Sequence, residues 1–240
     1  MWLAVDPLAE LYSGISPYAY CNNNPVIYND PDGKNIVLAG SGTQKLSLME
    51  NLQKLTNDKL KVDYHWSVYI AKKGGENSGR LLSSGSELIS ELINSSHTVT
   101  INIGKAGSGS TQGPRDTKNY TIKGKGSDSE VNFDITQKAK LLVENNEGSQ
   151  SYQDTPLPII LGHELIHAER AMTGNAVDYK KEIRYDYKFG LKKWRTPYSE
   201  TIFHEEGETV GLTGNNRFTE NKLRKEQGID KRLRYKTEDH

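Results

Sequence analysis

The spacing of apolar residues along the chain predicts helices and strands. Apolar side chains recur every three or four residues over 43–58 and again over 86–96, which is the pattern of amphipathic helices. Residues 97–105 and 129–136 alternate apolar with polar positions, the period of a half-buried strand. The β-branched and aromatic residues of 60–73 favour a further strand.

Three further segments complete the predicted order of elements. A short apolar run at 35–40 still predicts a strand, but residues 106–128 consist mostly of Gly, Ser, Thr and Lys and predict a mobile surface loop. From Pro156 onward the periodicity is helical. Strands followed by helices indicate an α+β fold, with a small mixed or antiparallel sheet packed on helices.

The segment LGHELIHAER, residues 161–170, contains two histidines four positions apart. A helix is predicted around it, from near Pro158, because proline is tolerated in a first turn, to near Gly174, because glycine commonly ends a helix. At 3.6 residues per turn, His163 and His167 project from the same face. Their imidazole nitrogens can then reach one zinc ion at about 2.0 to 2.1 Å.

Glu164 follows the first histidine and supplies a base beside the predicted metal. Zinc lowers the pKa of a bound water from roughly 15.7 toward about 7, and a neighbouring carboxylate can accept the proton. The same group can then protonate a leaving amine. The pattern His-Glu-x-x-His therefore predicts metal-assisted hydrolysis with Glu164 as the catalytic residue.

Composition limits the ligands available to such a metal. The chain has one cysteine, Cys21, and cannot build a thiolate cluster, so histidine and carboxylate must hold the ion. The longer signature HExxHxxGxxH needs glycine and histidine at the positions of Arg170 and Thr173. This departure excludes a third histidine from the same segment.

The third ligand is expected from the segment SETIFHEEGETVGL, residues 199–212. Glu206 is the first choice, because its place one helical step from apolar neighbours directs it inward, where a carboxylate needs a partner or a metal. Glu205 ranks second and His204 third. A solvated acidic turn remains the alternative for this segment.

Charge and hydropathy argue against several kinds of partner. Lys and Arg number 31, as do Asp and Glu, so the balanced charge gives no global reason to bind nucleic acid or an anionic membrane. Basic residues do outnumber acidic ones over 178–195, which is interpreted as a solvated helix face. No apolar run reaches transmembrane length, and the chain begins without the pattern of a signal peptide. Neither a membrane nor a nucleic-acid partner is expected.

The first 34 residues are rich in Tyr, Asn and Pro, and contain DPLAE, SPYAY, NNP and DPDG in that order. In this they resemble the C-terminal end of an RHS repeat-associated core domain. The resemblance implies that residues 1–34 end a β-shell and that residues 35–240 are its enclosed toxin, delivered to another cell. It gives Cys21 no catalytic part.

A second resemblance covers residues 129–235. The segments LGHELIHAERAMTG, EEGETVGLTG and FTENKLRKEQGIDKRLRY follow the motif order of the NleD-like effector zinc metallopeptidases. This family implies a zincin-like fold, Zn²⁺ held by both motif histidines and an acidic residue of the EExxT segment, and a catalytic Glu164. It also implies a secreted endopeptidase acting on a protein substrate inside a target cell, with an immunity protein as a second partner to look for.

Several residues keep two interpretations open. Arg224 and Tyr235 either polarise the substrate or serve only in packing, which is favoured. Residues 129–136 form either an edge strand, to which an extended peptide can add, or a central strand. His65 and His97 lie in strand-like segments away from the motif and are not assigned as ligands.

The favoured hypothesis is a zinc endopeptidase toxin. One alternative is an RHS-delivered toxin that acts on nucleic acid, to which the basic and aromatic segment 178–195 points. Another is a module that binds zinc or a partner without turnover.

Overall fold

Eleven strands and five helices make up residues 36–237, the part of the chain that the computed structural model describes. The strands are β1 (Ile36–Leu38), β2 (Lys59–Val62), β3 (Ser67–Lys72), β4 (Val99–Ile103), β5 (Thr111–Pro114), β6 (Ser129–Phe133), β7 (Lys140–Glu144), β8 (Gln150–Asp154), β9 (Glu182–Phe189), β10 (Thr196–Phe203) and β11 (Lys231–Thr237). The helices are α1 (Gly42–Gln53), α2 (Ser83–Ile93), α3 (Leu157–Thr173), α4 (His204–Val210) and α5 (Glu220–Glu226). The α+β class is confirmed. The RHS-like residues 1–34, with Cys21, lie outside the described part, so the division into two domains stays a prediction.

A six-stranded mixed sheet has the order β2-β3-β1-β4-β6-β5. β4 runs parallel to both of its neighbours, and the other pairs are antiparallel. Alternate side chains of β4 and β6 are fully buried, as their period-two pattern predicts: Val99, Ile101, Val131 and Phe133. Apolar side chains of α1, α2 and α3 complete the same core, so the sheet and the motif-bearing helix share one interior.

The edge of this sheet is β5, within the segment predicted as a mobile loop. β6 pairs with β4 on one side and β5 on the other, so the central-strand interpretation of 129–136 is confirmed. The loop prediction for 106–128 is wrong at residues 111–114. The pairing of these residues rests on backbone hydrogen bonds. A segment rich in Gly, Ser and Thr has no alternation of apolar residues, so the sequence does not predict the strand.

Residues 60–73, predicted as one strand, form two. Asp63 interrupts them, because its Oδ1 accepts hydrogen bonds from the backbone N–H groups of His65 at 2.8 Å and Ser67 at 2.9 Å. Trp66 has a φ of 66°, which reverses the chain. β2 and β3 therefore pair as a hairpin.

Two smaller sheets follow: one in the order β11-β7-β8, and the hairpin β9–β10. The prediction of a helix face over 178–195 is wrong, and so is the expectation that only helices follow Pro156. Burial along β9 alternates strictly between half-buried and exposed residues. That alternation is a strand pattern, and it is hard to recognise because charged residues of both signs occupy the exposed positions.

The helix α3 matches its predicted bounds within a residue. Pro156 is the N-cap, and Gly174 ends the helix in the left-handed conformation with a φ of 71°. A side chain there would bring its Cβ within 1.9 Å of the carbonyl oxygen of Ile122. A Cβ on Gly162 would lie 2.6 Å from Leu223, so glycine lets α5 approach α3 closely.

Within residues 36–237, no helix is long and apolar enough to cross a membrane.

Candidate metal and catalytic site

Helix α3 presents His163 and His167 side by side on one face, as their spacing predicts. The ring centroids are 4.8 Å apart, and the two Nε2 atoms are separated by 3.1 Å. His167 is buried and His163 half-buried. Two imidazole nitrogens this close need a proton or a cation between them, because two lone pairs would repel each other.

Glu206 completes the group from a second element. Strand β10 leads directly into α4, and the first turn of α4 carries Glu206 to the two imidazoles. Its carboxylate oxygens lie 3.1 Å from Nε2 of His163 and 3.3 Å from Nε2 of His167. Ligands at about 2.0 to 2.1 Å in a tetrahedral site are separated by about 3.3 Å. Among the residues described, these three form the group of ionisable side chains that could hold a metal ion.

Glu205 and His204, the other two candidates, lie elsewhere. Glu205 is fully buried and receives two hydrogen bonds from Arg170, at 2.7 and 3.0 Å. His204 pairs with Glu208 at 3.3 Å. The expectation that apolar neighbours on one helical face direct Glu206 inward is wrong at Phe203, three residues before it. Phe203 ends β10 and is exposed, so the junction between strand and helix places Glu206.

Each motif histidine is supported from behind by a carboxylate and arginines. Glu220 Oε2 lies 2.9 Å from Nδ1 of His163, and its oxygens accept hydrogen bonds from Arg224 at 2.7 Å and Arg232 at 2.6 Å. Glu205 Oε1 lies 3.4 Å from Nδ1 of His167. A carboxylate on the second ring nitrogen fixes both the tautomer and the orientation of a metal-binding imidazole.

The carboxylates determine the charge of the two imidazoles. Burial disfavours the imidazolium, but Glu206 and Glu220 outweigh it and raise the pKa of His163 to about 9. Glu206 and Glu205 likewise overcome burial and raise the pKa of His167 to about 10. In the opposite sense, both histidines overcome burial and hold the pKa of Glu206 well below its ordinary value. The pocket thus favours positive charge at this point, as protons or as a metal cation.

Glu164 lies on the same helix but does not join the three-residue group. It is almost fully buried, and burial raises the pKa of its carboxyl despite the neighbouring histidines. It lines a cavity of about 670 Å³ that also contains His163, His167 and Glu206. A carboxyl with a raised pKa, facing a cavity beside a cation site, is suited to accept and return a proton.

The same cavity is also lined by residues of β5 and by two tyrosines. Tyr179 donates a hydrogen bond from its hydroxyl to Gln112 Oε1 at 2.7 Å, and Tyr235 enters from β11. Burial first, then the negative charge of Glu206, raises the pKa of Tyr235, so its phenol stays a proton donor. Tyr235 therefore lines the same cavity as the candidate metal ligands. Arg224 is 1% exposed and bonds to Glu220 and Thr155, which agrees with the packing role favoured for it.

The outer edge of β5 faces the cavity. Arg115 donates its backbone N–H to the carbonyl of Asp128 at 2.8 Å, one residue beyond the paired strands. Since alternate residues of an antiparallel pair point toward the partner, Gln112 directs its backbone N–H and C=O away from β6. Gln112 also lines the cavity, so a strand edge borders the candidate site.

Comparison with known families decides the classification. A family model named Peptidase_M91, with the description "Effector protein", matches residues 77–235, about two-thirds of the chain. The chain belongs to the Peptidase_M91 family. This confirms the resemblance to effector metallopeptidases. The Peptidase_M91 match begins well after the RHS-like leader, which stays a prediction.

Solved structures of botulinum neurotoxin light chains resemble this Peptidase_M91 chain over part of their length. The serotype C1 light chain protease aligns with a TM-score of 0.32 and 17% identity, over 70% of this chain and 41% of that one. The serotype HA light chain gives 0.39 and 17%, over 86% and 51%. The Clostridium botulinum serotype F light chain gives 0.29 and 20%, over 74% and 41%. The chain thus spans between two-fifths and one-half of these light chains. No curated protein matches it significantly.

Several site residues were not anticipated from the sequence: Arg170, Tyr179, Glu220 and Arg232. Arg170 lies four positions after Ile166 and directly before Ala171, and this place on the apolar side of the helix is a usable sequence signal for a buried partner. The side chain is indeed only 5% exposed. Glu220 and Arg224 are four residues apart, which also hints at an ion pair. Nothing local indicates that Glu220 contacts His163, 57 positions away.

Proposed function

We propose that this protein is a zinc endopeptidase of the HExxH type, in which His163, His167 and Glu206 hold Zn²⁺ and Glu164 is the catalytic residue. The observation that carries the proposal is the convergence of two Nε2 atoms, 3.1 Å apart, with the Glu206 carboxylate, whose two oxygens lie 3.1 and 3.3 Å from them, and with Glu164 in the same cavity. Two histidines and one carboxylate are a usual ligand set of catalytic zinc, which keeps a further position open.

Zn²⁺ held by these residues would supply Lewis acidity, which polarises a substrate carbonyl and lowers the pKa of water. Glu164 accepts a proton from the water that attacks the carbonyl carbon, and returns it to the amine nitrogen as the C–N bond breaks. Tyr235 donates a hydrogen bond to the carbonyl oxygen as negative charge develops on it. Glu220 and Glu205 keep the two imidazoles in the orientation that binds metal.

The substrate is a protein bound in an extended conformation. Its backbone pairs with the outward-facing N–H and C=O groups of Gln112, so that one more strand is added to the edge of the six-stranded sheet. The Gln112 side chain is already tied to Tyr179 and to Ser129, which holds this edge in place. A strand edge beside the cavity favours a peptide over a compact small molecule.

Membership of an effector family supports action inside a target cell. Delivery is attributed to the RHS-like residues 1–34. An immunity protein that covers the cavity in the producing cell fits the same proposal.

The test is direct. The full chain should contain about one zinc per molecule and produce new N-termini in a target-cell lysate, and a chelator should abolish both. Glu164→Gln should keep the zinc and lose cleavage, whereas the matched exposed variant Glu87→Gln should keep both. A Glu164→Gln variant that cuts at the wild-type rate contradicts the proposal. Stoichiometric zinc without cleavage of any protein would favour the non-catalytic module.

A further inference from the structure

The loop that joins β9 to β10, residues 190–195, carries two apolar side chains in water. We call these residues, Gly-Leu-Lys-Lys-Trp-Arg, the hairpin tip. Leu191 is 77% exposed and Trp194 is 80% exposed. The backbone N–H of Trp194 donates to the carbonyl of Leu191 at 2.6 Å, which closes the turn and fixes the two side chains near each other.

The exposure of the hairpin tip does not come from a loosely held loop. Four contacts tie it to the hairpin formed by β7 and β8. Gly190 donates its N–H to Gln150 at 3.1 Å, and Lys192 reaches the carbonyl of Glu147 at 2.8 Å. Arg195 contacts the carbonyl of Gly148 and the carboxylate of Glu144. The backbone of the tip is therefore held while Leu191 and Trp194 stay outside.

The hairpin tip also lies in a basic segment of a neutral chain. Between residues 178 and 195 there are seven basic and three acidic residues, and the whole chain has 31 of each. Arg195 is balanced by Glu144. Among the described residues, no carboxylate forms an ion pair with Lys188 or Lys193. The whole chain is neutral and so gives no general reason to bind an anionic surface. The segment that contains the hairpin tip, however, has a positive net charge.

We propose that the hairpin tip binds an anionic lipid surface. Tryptophan prefers the boundary between headgroups and hydrocarbon, leucine the hydrocarbon beneath it, and lysines nearby are attracted to acidic headgroups. The side chains of Trp194 and Leu191 project into solvent at the end of a two-stranded ribbon, so they fit a deformable surface. An acidic protein partner would have to supply a pocket for both side chains. The proposed contact is with the surface of the bilayer and does not span it.

The length of the hairpin sets the distance between the lipid surface and the candidate site. β10 runs eight residues from the tip to α4, and a strand advances about 3.4 Å per residue. The candidate site therefore stands roughly 25 Å along the hairpin from the lipid surface.

Sedimentation of the full chain with vesicles tests the proposal. Vesicles of phosphatidylcholine with phosphatidylserine should carry the protein down, and those of phosphatidylcholine alone should not. Replacing Leu191→Ser and Trp194→Ser together should lower the partition coefficient at least about tenfold. Lys188→Gln and Lys193→Gln should each lower it about fivefold, since a lysine near such a surface contributes about 1 kcal/mol.

Matched controls lie elsewhere on the surface. Leu81→Ser removes a leucine that is 79% exposed, and Lys61→Gln removes an exposed lysine, and both should bind vesicles like the wild type. Vesicle binding should also fall as salt rises. Zinc content should be unchanged in all variants, so a failure of the proteolytic proposal leaves this test intact.

Two results overturn the proposal. One is a wild-type chain that stays in the supernatant with anionic vesicles, or tip variants that sediment as well as it does. The other is a tip variant that binds vesicles normally but has a changed activity. It would cleave a whole protein more slowly than the wild type does and a short peptide at the wild-type rate. That outcome would assign the hairpin tip to the substrate.

Discussion

The carboxylate of Glu220 lies 2.9 Å from Nδ1 of His163 and is itself held by Arg224 and Arg232. The candidate site is thus a layered arrangement in which arginine fixes glutamate and glutamate fixes histidine. Glu205, with Arg170, does the same behind His167. These supporting residues come from α3, α4, α5 and β11, so the site depends on packing across much of the fold.

Replacing Glu220→Gln should weaken zinc binding about 10- to 100-fold, the usual effect of removing a partner from a metal-binding histidine. It should also lower the free energy of unfolding by about 3 to 5 kcal/mol, because Arg224 and Arg232 lose their buried counter-charge. Competition with a chromophoric chelator measures the first effect and urea unfolding the second. Glu87→Gln, an exposed carboxylate, is the control. Unchanged zinc affinity in folded Glu220→Gln would remove Glu220 from the site.

Removing one hydroxyl with Tyr235→Phe should lower kcat about 100-fold and leave KM and zinc content nearly unchanged, because the hydrogen bond to the carbonyl oxygen is strongest in the transition state. Steady-state kinetics on a cleaved peptide measure this. Tyr187→Phe on β9, outside the cavity, should retain full activity. A Tyr235→Phe enzyme with normal kcat would return Tyr235 to the purely structural role.

The role of the β5 edge can be separated from that of the Gln112 side chain. Gln112→Ala removes the side chain but keeps the backbone N–H, whereas Gln112→Pro removes both. Proline is tolerated on an edge strand, and this N–H does not point to β6. We expect kcat/KM for a peptide to be at least tenfold lower in Gln112→Pro than in Gln112→Ala, roughly the loss of one hydrogen bond. Equal values would show that substrate does not pair with β5.

Zinc affinity should rise with pH. In the metal-free protein the pKa of His163 is raised to about 9 and that of His167 to about 10, so both bind protons at pH 7 and must release them to bind metal. Calorimetry in buffers of different ionisation enthalpy should detect proton release on zinc binding between pH 6.5 and 9. Zinc binding with no proton release at pH 7 would contradict the raised pKa values.

The same shifts give the metal-free protein a pH-dependent stability. A histidine whose pKa is raised on folding stabilises the fold fully below its unfolded value of about 6.5, and this contribution is lost as the pH rises through about 9 to 10. Urea midpoints of the metal-free protein should therefore fall between pH 7 and 10. The zinc-loaded protein should show a much smaller fall over the same range.

Local patterns in the sequence predicted the elements that depend on side-chain periodicity. α3 was placed within a residue because Pro158, Gly174 and its apolar face all agree. β5 was missed because its pairing lies in the backbone, and β9 because charged side chains occupy its exposed positions. The histidine pair follows from helical geometry alone. The contact between Glu220 and His163 depends on the packing of α5 against α3. Gly162 permits this packing, but no local sequence pattern predicts it.

Arg232 reaches Glu220 from β11, 69 positions after the first motif histidine. The imidazole of His163 is therefore correctly held only once that late strand has docked. A chain that is still being made, or that travels unfolded, has the full motif but no working centre. Under the proposed function, proteolysis is thereby coupled to completed folding, which protects whatever handles the chain beforehand.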